Sequence, residues 1–221
     1  MKFDVRYFFE QFPRLIVKVP YTYFLGIIAF IIAFFLGIVL ALAKNSRFRI
    51  IRGFSDLYVS YFRSTPYITQ LFILYFGLPQ IFEFMKAMTA ETALIISISM
   101  NSAAFISEII RGGLLSVNKG QMEAAISIGM SKFQALRTII YPQAFVVALP
   151  GLGNSFISML KSTSMGFTIG VVELLSKAKI GSATSYRYLE SYMAVGIIYW
   201  GMMLIISFLQ KKLEKHMTRY L

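Results

Sequence analysis

The chain has 221 residues, of which 57% are hydrophobic, and its formal net charge is +12. This composition is typical of a polytopic membrane protein and not of an ordinary soluble domain, so we predict an all-α fold built from membrane-spanning helices. The absence of cysteine excludes disulfides and thiolate metal sites, and a single histidine, His216, excludes a histidine cluster.

The positive charge raises the possibility of a nucleic-acid-binding protein. However, the lysines and arginines flank apolar stretches and do not form one soluble basic face. Anionic lipid headgroups explain such a distribution better. We therefore expect membrane lipid, and no nucleic acid, as a partner of this chain.

The chain begins with aromatic and charged residues at helical spacing. This pattern predicts an N-terminal amphipathic helix over residues 1–18 in the outer membrane interface. Five apolar stretches follow; four reach the length of a membrane span directly, and the third does so once its flanking turns are added. We predict five transmembrane helices at about 19–43, 60–82, 91–110, 138–160 and 190–210, followed by a basic cytoplasmic tail at 211–221.

Between the last two predicted spans, the apolar segment 165–175 is too short to cross a bilayer. It is expected to be re-entrant, interfacial or part of an outer gate. The orientation follows from the basic residues in the short loop 44–52 after the first span, since such residues favour the cytoplasmic side. We therefore expect the N-terminus outside and the C-terminus in the cytoplasm, with Arg63 at a membrane boundary.

Several predicted spans contain residues that a lipid-facing helix would not carry. Pro66 releases a backbone carbonyl, which is tolerable in a membrane only where protein or water supplies another donor. Ser97 and Asn101 lie one turn apart and should face a cavity or a partner helix. Pro150 and the glycines after it predict a helix that is either deformable, as in transporters, or statically kinked within the bundle.

The polar segment 112–137 separates two predicted spans. Helical spacing places Met122, Ile126, Met130 and Phe133 on one apolar stripe, which requires a groove on a partner protein. The alternative is an amphipathic helix that lies on the inner leaflet.

The chemistry of the chain favours a conduit over a catalyst. The sequence contains neither the phosphate-binding loop motif of ATPases nor HExxH, and no histidine or lysine at span centre could activate a serine. We therefore expect no catalytic residue and no metal site. A channel or an ion-coupled carrier that works without ATP stays open as an alternative, although it predicts intramembrane acids or an inverted repeat, and neither is visible.

Ordered motifs resemble the polar amino-acid branch of importer permeases of the ATP-binding-cassette (ABC) type, the histidine-glutamine-arginine permease family. The blocks are RSTP at 63–66, QLF at 70–72, YFGLP at 75–79, FISEIIRGG at 105–113, GQMEAA at 120–125 with Gly129, PQA at 142–144 and KSTS at 161–164. The resemblance is collinear over about residues 20–210. One departure is Ser162, where that branch often has an acidic residue, and this leaves the details of substrate recognition open.

The resemblance implies a type I ABC importer permease fold in a bacterial plasma membrane. The implied partners are cassette ATPase subunits that bind ATP and Mg, a second identical or homologous permease, and an extracytoplasmic solute-binding protein that delivers an amino acid. It also implies ATPase coupling through Glu123, Ala124, Ala125, Gly129, Met130 and Phe133, and a substrate pathway through Thr65, Gln70, Ser97, Asn101 and Asn154. Another small polar solute is the alternative cargo.

The sequence gives only a weak indication of which amino acid is carried. No acidic residue stands clearly inside a span to pair with a cationic side chain, so neutral or acidic amino acids are favoured. Lys161 is interpreted either as a group that serves an anion or as an ordinary interfacial lysine whose side chain reaches the headgroups.

Overall fold

A computed structural model describes residues 3–217, so the predictions for residues 1–2 and 218–221 lie outside the described residues. Within that range the chain is helical and contains no strand. The α-helices are α1 (Val5–Ile16), α2 (Val19–Lys44), α3 (Arg49–Ser64), α4 (Tyr67–Phe72), α5 (Ala90–Ser116), α6 (Lys119–Ser127), α7 (Lys132–Ala135), α8 (Tyr141–Ser162), α9 (Leu174–Ser185) and α10 (Tyr188–Met217). Short π-helical and 3₁₀ segments join several of them, including Ile73–Gly77, Leu136–Ile140 and Thr163–Ile169.

Four helical segments of the described chain are long and apolar enough to cross a membrane. They are Val19–Lys44, Ala90–Ser116, Lys132–Ile169 and Tyr188–Met217. The third is continuous because α7, the π-helical segment and α8 follow one another without a break. The stretch 60–82, which we predicted as one span, is not one continuous helix. Helix α3 ends at Ser64 and α4 begins at Tyr67, with extended backbone at Thr65 and Pro66 between them.

Helices α2, α5 and α8 form the centre of the fold. Glycines and alanines line their contacts: Gly26 lies against Leu160, Gly37 against Ile106, and Gly113 against Ala144. These pairs show that α2 and α5 run in the same direction and that α8 runs against both. Small residues allow backbones to approach closely, which is the main route to tight helix packing in lipid.

The contrast between Gly113 and its neighbour Gly112 yields a prediction. A Cβ on Gly113 would lie 2.5 Å from the Ala144 carbonyl oxygen, whereas a Cβ on Gly112 would meet nothing within 4 Å. We expect Gly113→Ala to destabilise the protein by about 1–3 kcal/mol, because α5 and α8 must separate. Gly112→Ala should be neutral or slightly stabilising, since alanine favours helix more than glycine does. Thermal unfolding of the two detergent-solubilised variants measures the difference, and equal melting temperatures would contradict the packing argument.

The N-terminal helix α1 is fastened to α9 and α10. The Asp4 amide donates to Glu190 Oε1 at 2.9 Å, and Arg187 forms an ion pair with Asp4 at 3.1 Å. Leu15 is buried in an apolar cluster with residues of α9 and α10. The opposite face exposes large apolar side chains, including Phe9 and Val17. Such an amphipathic helix is compatible with the interfacial position expected from the sequence. That position stays a prediction.

The segment between α8 and α10 folds back onto the same end of the molecule. Its 3₁₀ turn ends at Gly170, where φ is +91°, and Glu173 caps the start of α9. The Glu173 carboxylate is fully buried and accepts hydrogen bonds from the Ser176 amide at 2.8 Å and from the Tyr199 hydroxyl at 2.8 Å. The segment 165–175 therefore contributes a cap over the bundle end that also carries α1.

Candidate functional site

The break in the second predicted span is stabilised by side-chain amides. Proline at position 66 has no N–H, so the Phe62 carbonyl loses its usual donor one turn later. Gln70 Nε2 donates to that carbonyl at 3.1 Å, and Asn101 Nδ2 donates to it at 3.0 Å. The protein therefore satisfies the carbonyl that Pro66 releases, as a membrane environment requires.

Three of the five residues predicted for the substrate pathway meet at this break. Gln70 Nε2 also donates to Thr65 Oγ1 at 2.7 Å, and Asn101 Nδ2 donates to Gln70 Oε1 at 3.0 Å. Gln70 is only 5% exposed, so its amide is committed to internal bonds. Both bonds of Asn101 to described residues are donated by Nδ2, which leaves its Oδ1 as an acceptor.

A cleft of about 620 Å³ lies between one face of α5 and one face of α8. Asn101 and Asn154 both line it, so two of the predicted pathway residues face each other across this space. Helical spacing adds hydroxyl groups to this lining, because residues three and four apart share a face. The polar lining comes from Asn101 and Ser102 on α5 and from Asn154, Ser155, Ser158 and Ser162 on α8.

Arg63 also lines this cleft, although the sequence placed it at a membrane boundary. It lies about 21 Å along α3 from Arg49, at 1.5 Å per residue. Its neighbour Phe62 is bonded to Asn101, which lies well inside α5. The guanidinium carbon stands 5.7 Å from the centre of the Phe105 ring. Helix α3 therefore ends beside the middle of α5, and Arg63 is exposed where it lines the cleft.

Ser97 does not reach the cleft. It lines a separate pocket of about 140 Å³ with Gln70 and apolar side chains. Its hydroxyl and that of Tyr67 are buried, and neither has a well-formed hydrogen bond to a described residue. Ser97 shares a face of α5 with Asn101, but it lies one turn earlier, where that face is covered by α4.

At the other end of the cleft, Glu108 is held by two cations. Lys44 Nζ lies 2.6 Å from Glu108 Oε1, and Arg111 Nη2 lies 2.7 Å from Glu108 Oε2. Asp56 stands 3.4 Å from the same lysine. The cluster ties the C-terminal end of α2 to the middle of α3 and to the C-terminal half of α5.

The segment predicted to couple to an ATPase is two short helices joined by a sharp turn. Helix α6 ends at Ser127, Gly129 has φ of +88°, and the Met130 amide donates to the Ala125 carbonyl at 3.1 Å. Helix α7 then begins with a capping box in which Ser131 and Gln134 bond to each other's backbone amides. The single stripe of four residues predicted across this segment is therefore interrupted at Gly129, because a positive φ ends the helix there.

The turn presents large apolar side chains to solvent. The exposed fraction is 51% for Ile126, 79% for Ile128 and 70% for Phe133, whereas Ala125 is buried and Met130 is half-buried. Glu123 and Ala124 are exposed on α6. Sequence spacing missed Ile128, because its exposure depends on the break at Gly129. A large apolar residue directly before a helix-ending glycine was the signal available.

Residues 15–219 match the family model for the binding-protein-dependent transport system inner membrane component. The chain belongs to this family. It is 44% identical to the probable amino-acid permease protein YxeN of Bacillus subtilis, over 98% of this chain and 96% of the relative. It is 36% identical to the arginine transport system permease protein ArtQ of the same organism, over 97% of each chain.

Solved structures agree with the family assignment. A crystal structure of an amino acid ABC transporter with histidines superposes with a TM-score of 0.89 at 36% identity, and the match covers 98% of this chain and 100% of that one. The MetNI methionine ABC transporter in an inward-facing conformation gives a TM-score of 0.70 at 19% identity, over 90% of this chain and 92% of that one, and supports the fold alone. The expected type I ABC importer permease fold and the resemblance to ABC amino-acid permeases are confirmed.

As a permease of this family, the chain is a multi-pass inner-membrane protein that works with ATPase and binding-protein partners. In residues 3–217, no group of three or more histidine, cysteine, aspartate or glutamate residues could hold a metal ion. In ABC transporters, ATP and Mg are bound by the ATPase subunit.

Proposed function

We propose that this chain is the membrane-spanning permease subunit of an ATP-driven importer, and that it translocates an amino acid delivered by an extracytoplasmic binding protein. The cleft between α5 and α8 carries this proposal. Amide and hydroxyl groups line it, and such groups supply both acceptors for an ammonium and donors for a carboxylate. Relatives that are named as amino-acid permeases support the same cargo.

Within this proposal, Asn101 and Asn154 contact the solute. Thr65 and Gln70 do not contact the solute. Their hydrogen bonds stabilise the break in the second span and fix the position of Asn101. Ser97 packs beneath that break. The substrate pathway therefore consists of the cleft and the hydrogen-bonded support behind it.

Force reaches the cleft through one continuous helical segment. The exposed apolar residues around Gly129 form the docking surface, defined as Ile126, Ile128 and Phe133 together with Glu123 and Ala124 on α6. Residues 132–169 then run without a break from this surface to the wall of the cleft. A nucleotide-dependent movement of the ATPase against the docking surface would therefore shift the face of α8 that contacts the solute, and so bias inward-open against outward-open packing.

The proposed orientation places α1 and the 163–187 segment outside and the docking surface in the cytoplasm. The basic loop after α2 lies at the same end as the docking surface, since α2 and α5 run in the same direction, and it supports this assignment. A second permease, identical or homologous, completes the pore. An ATP-independent channel or carrier is not favoured, because the relatives are ABC permeases and the acid in the cleft, Glu108, is already paired with two cations.

Reconstitution tests this proposal. The permease is assembled in liposomes with its ATPase and binding protein, and ATP hydrolysis and uptake are measured for each standard amino acid. We expect one or a few amino acids to stimulate hydrolysis and to accumulate only when ATP is present. Uptake that persists after loss of the ATPase would favour a carrier, and stimulation by a non-amino-acid solute alone would favour the alternative cargo.

A further inference from the structure

Arg63 is an exposed cation that lines the cleft and has no anionic partner among the described residues. Eight ion pairs occur in residues 3–217, and none of them includes Arg63. Its contact is with the ring face of Phe105, at 5.7 Å. A charged side chain at membrane depth is costly, so it is expected to face a cavity and to serve a ligand or a partner.

The surroundings of Arg63 in the cleft are neutral or already compensated. Glu108, the acid in the cleft lining, is bound by Lys44 at 2.6 Å and by Arg111 at 2.7 Å, with Asp56 also beside the lysine. The remaining polar groups are the two asparagines and the serines of α5 and α8. The cleft therefore offers an uncompensated positive charge and no free carboxylate.

The ring of Phe105 orients the guanidinium. An arginine that lies over an aromatic face keeps its N–H groups free for ligands, and its planar fork matches the two oxygens of a carboxylate. Asn101 Oδ1 remains as an acceptor in the same cleft, because the two bonds of that side chain are donated by Nδ2. An α-amino acid carries the complementary pair of groups, a carboxylate and an ammonium.

We propose that Arg63 anchors the α-carboxylate of the transported amino acid and that the cleft selects neutral or acidic side chains over cationic ones. This inference rests on the proposed function and extends it to a named contact and a substrate class. Lys161, interpreted from the sequence as a possible group for an anion, does not line the cleft, and Arg63 takes that role.

Direct binding tests the anchor. Wild-type and variant permeases are purified in complex with the ATPase, and the binding protein is omitted because it would impose its own selectivity. Binding of each standard L-amino acid is measured, and the carboxamide analogue of the tightest binder is then tested as a competitor. We expect that binder to be neutral or acidic and to bind the wild type more tightly than its carboxamide does.

The variants separate a carboxylate contact from a packing role. Arg63→Gln should weaken binding about 10- to 100-fold, the range of a hydrogen bond to a charged group, and should remove the preference for the acid over the carboxamide. Arg63→Lys keeps the charge and should retain part of that preference. The matched control, Lys161→Gln, removes one exposed charge of α8 outside the cleft and should bind like the wild type.

Three results would overturn the inference: undiminished binding by Arg63→Gln, an unchanged preference for the carboxylate in that variant, or a cationic amino acid as the tightest binder. Absence of binding by the wild-type complex would also overturn it. In each case the proposed function still stands if the full complex, with its binding protein, accumulates an amino acid with ATP. If the full complex accumulates no amino acid, both proposals fail.

Discussion

Gly129→Val is expected to reduce ATP-driven uptake strongly while the protein still inserts into the membrane and binds its solute. Gly129 has φ of +88° at the turn between α6 and α7, and nothing within 4 Å would obstruct a side chain there. The effect is therefore one of backbone conformation. A β-branched residue at positive φ is strained, so the turn must adopt another shape, and Ile128 and Phe133 would no longer form one docking surface.

The measurement is ATP-dependent uptake into proteoliposomes, in parallel with the basal ATP hydrolysis of the complex. Uptake should fall at least about tenfold, which corresponds to a loss of roughly 1.4 kcal/mol or more in coupling. Gly196→Val is the matched control, because Gly196 is exposed on α10 with open space around it and an ordinary helical φ. Wild-type uptake by Gly129→Val would refute the role of this turn in coupling.

Gln70→Leu is expected to destabilise the broken span and to reduce uptake together. Gln70 donates to the Phe62 and Thr65 carbonyls, both at 3.1 Å, and accepts from Asn101. Leucine of similar size would leave the Thr65 carbonyl without that donor and Asn101 with one fewer acceptor. An unsatisfied buried polar group costs about 1–3 kcal/mol, and the released Asn101 would also lose its fixed position in the cleft.

The control for this substitution is Gln80→Leu. Gln80 donates to the Phe76 carbonyl at 2.9 Å in an exposed position, where water can replace it. Thermal unfolding of the detergent-solubilised complex should show a lower melting temperature for Gln70→Leu and almost no change for Gln80→Leu. Equal stability of the two variants would show that the amide network does not support the break.

The sequence predicts the spans well where apolar length alone decides. Helices α2, α5 and α10 and the continuous segment Lys132–Ile169 each contain the stretch that composition assigned to a span. The sequence does not show that the 60–82 stretch is divided between α3 and α4. Pro66 indicated a bend, but two extended residues between α3 and α4 depend on Gln70 and Asn101 reaching back to Phe62, and Asn101 belongs to a different helix.

Arg63 shows why the candidate site was only partly predictable. Charge next to an apolar stretch is usually read as the end of a span, and that rule holds only when the helix continues to the membrane surface. Here α3 ends at Ser64, beside the middle of α5, so the same residue lines the cleft. The sequence contains the serines of α8, but it does not show that they line the same cleft as Asn101 and Ser102 of α5.

The docking surface shows a related limit. Helical spacing joined Met122 to Phe133 in one stripe, yet Gly129 divides the segment and turns Ile128 outward. Glycine tolerates positive φ, so Gly129 allows the helix to end there. Whether the helix breaks depends on the capping box at Ser131, which starts α7 in a new direction.

Photo-cross-linking from a unique cysteine tests the central claim, that a separate ATPase grips the segment around Gly129. The chain contains no native cysteine, so Ile128→Cys and Phe84→Cys each provide a single attachment point for a benzophenone maleimide. Both positions are 79% exposed, and Phe84 lies in the loop at the opposite end of the bundle. In the assembled complex, the probe at position 128 should cross-link to the ATPase and the probe at position 84 should not. Cross-linking of the ATPase from position 84, with none from position 128, would contradict the account.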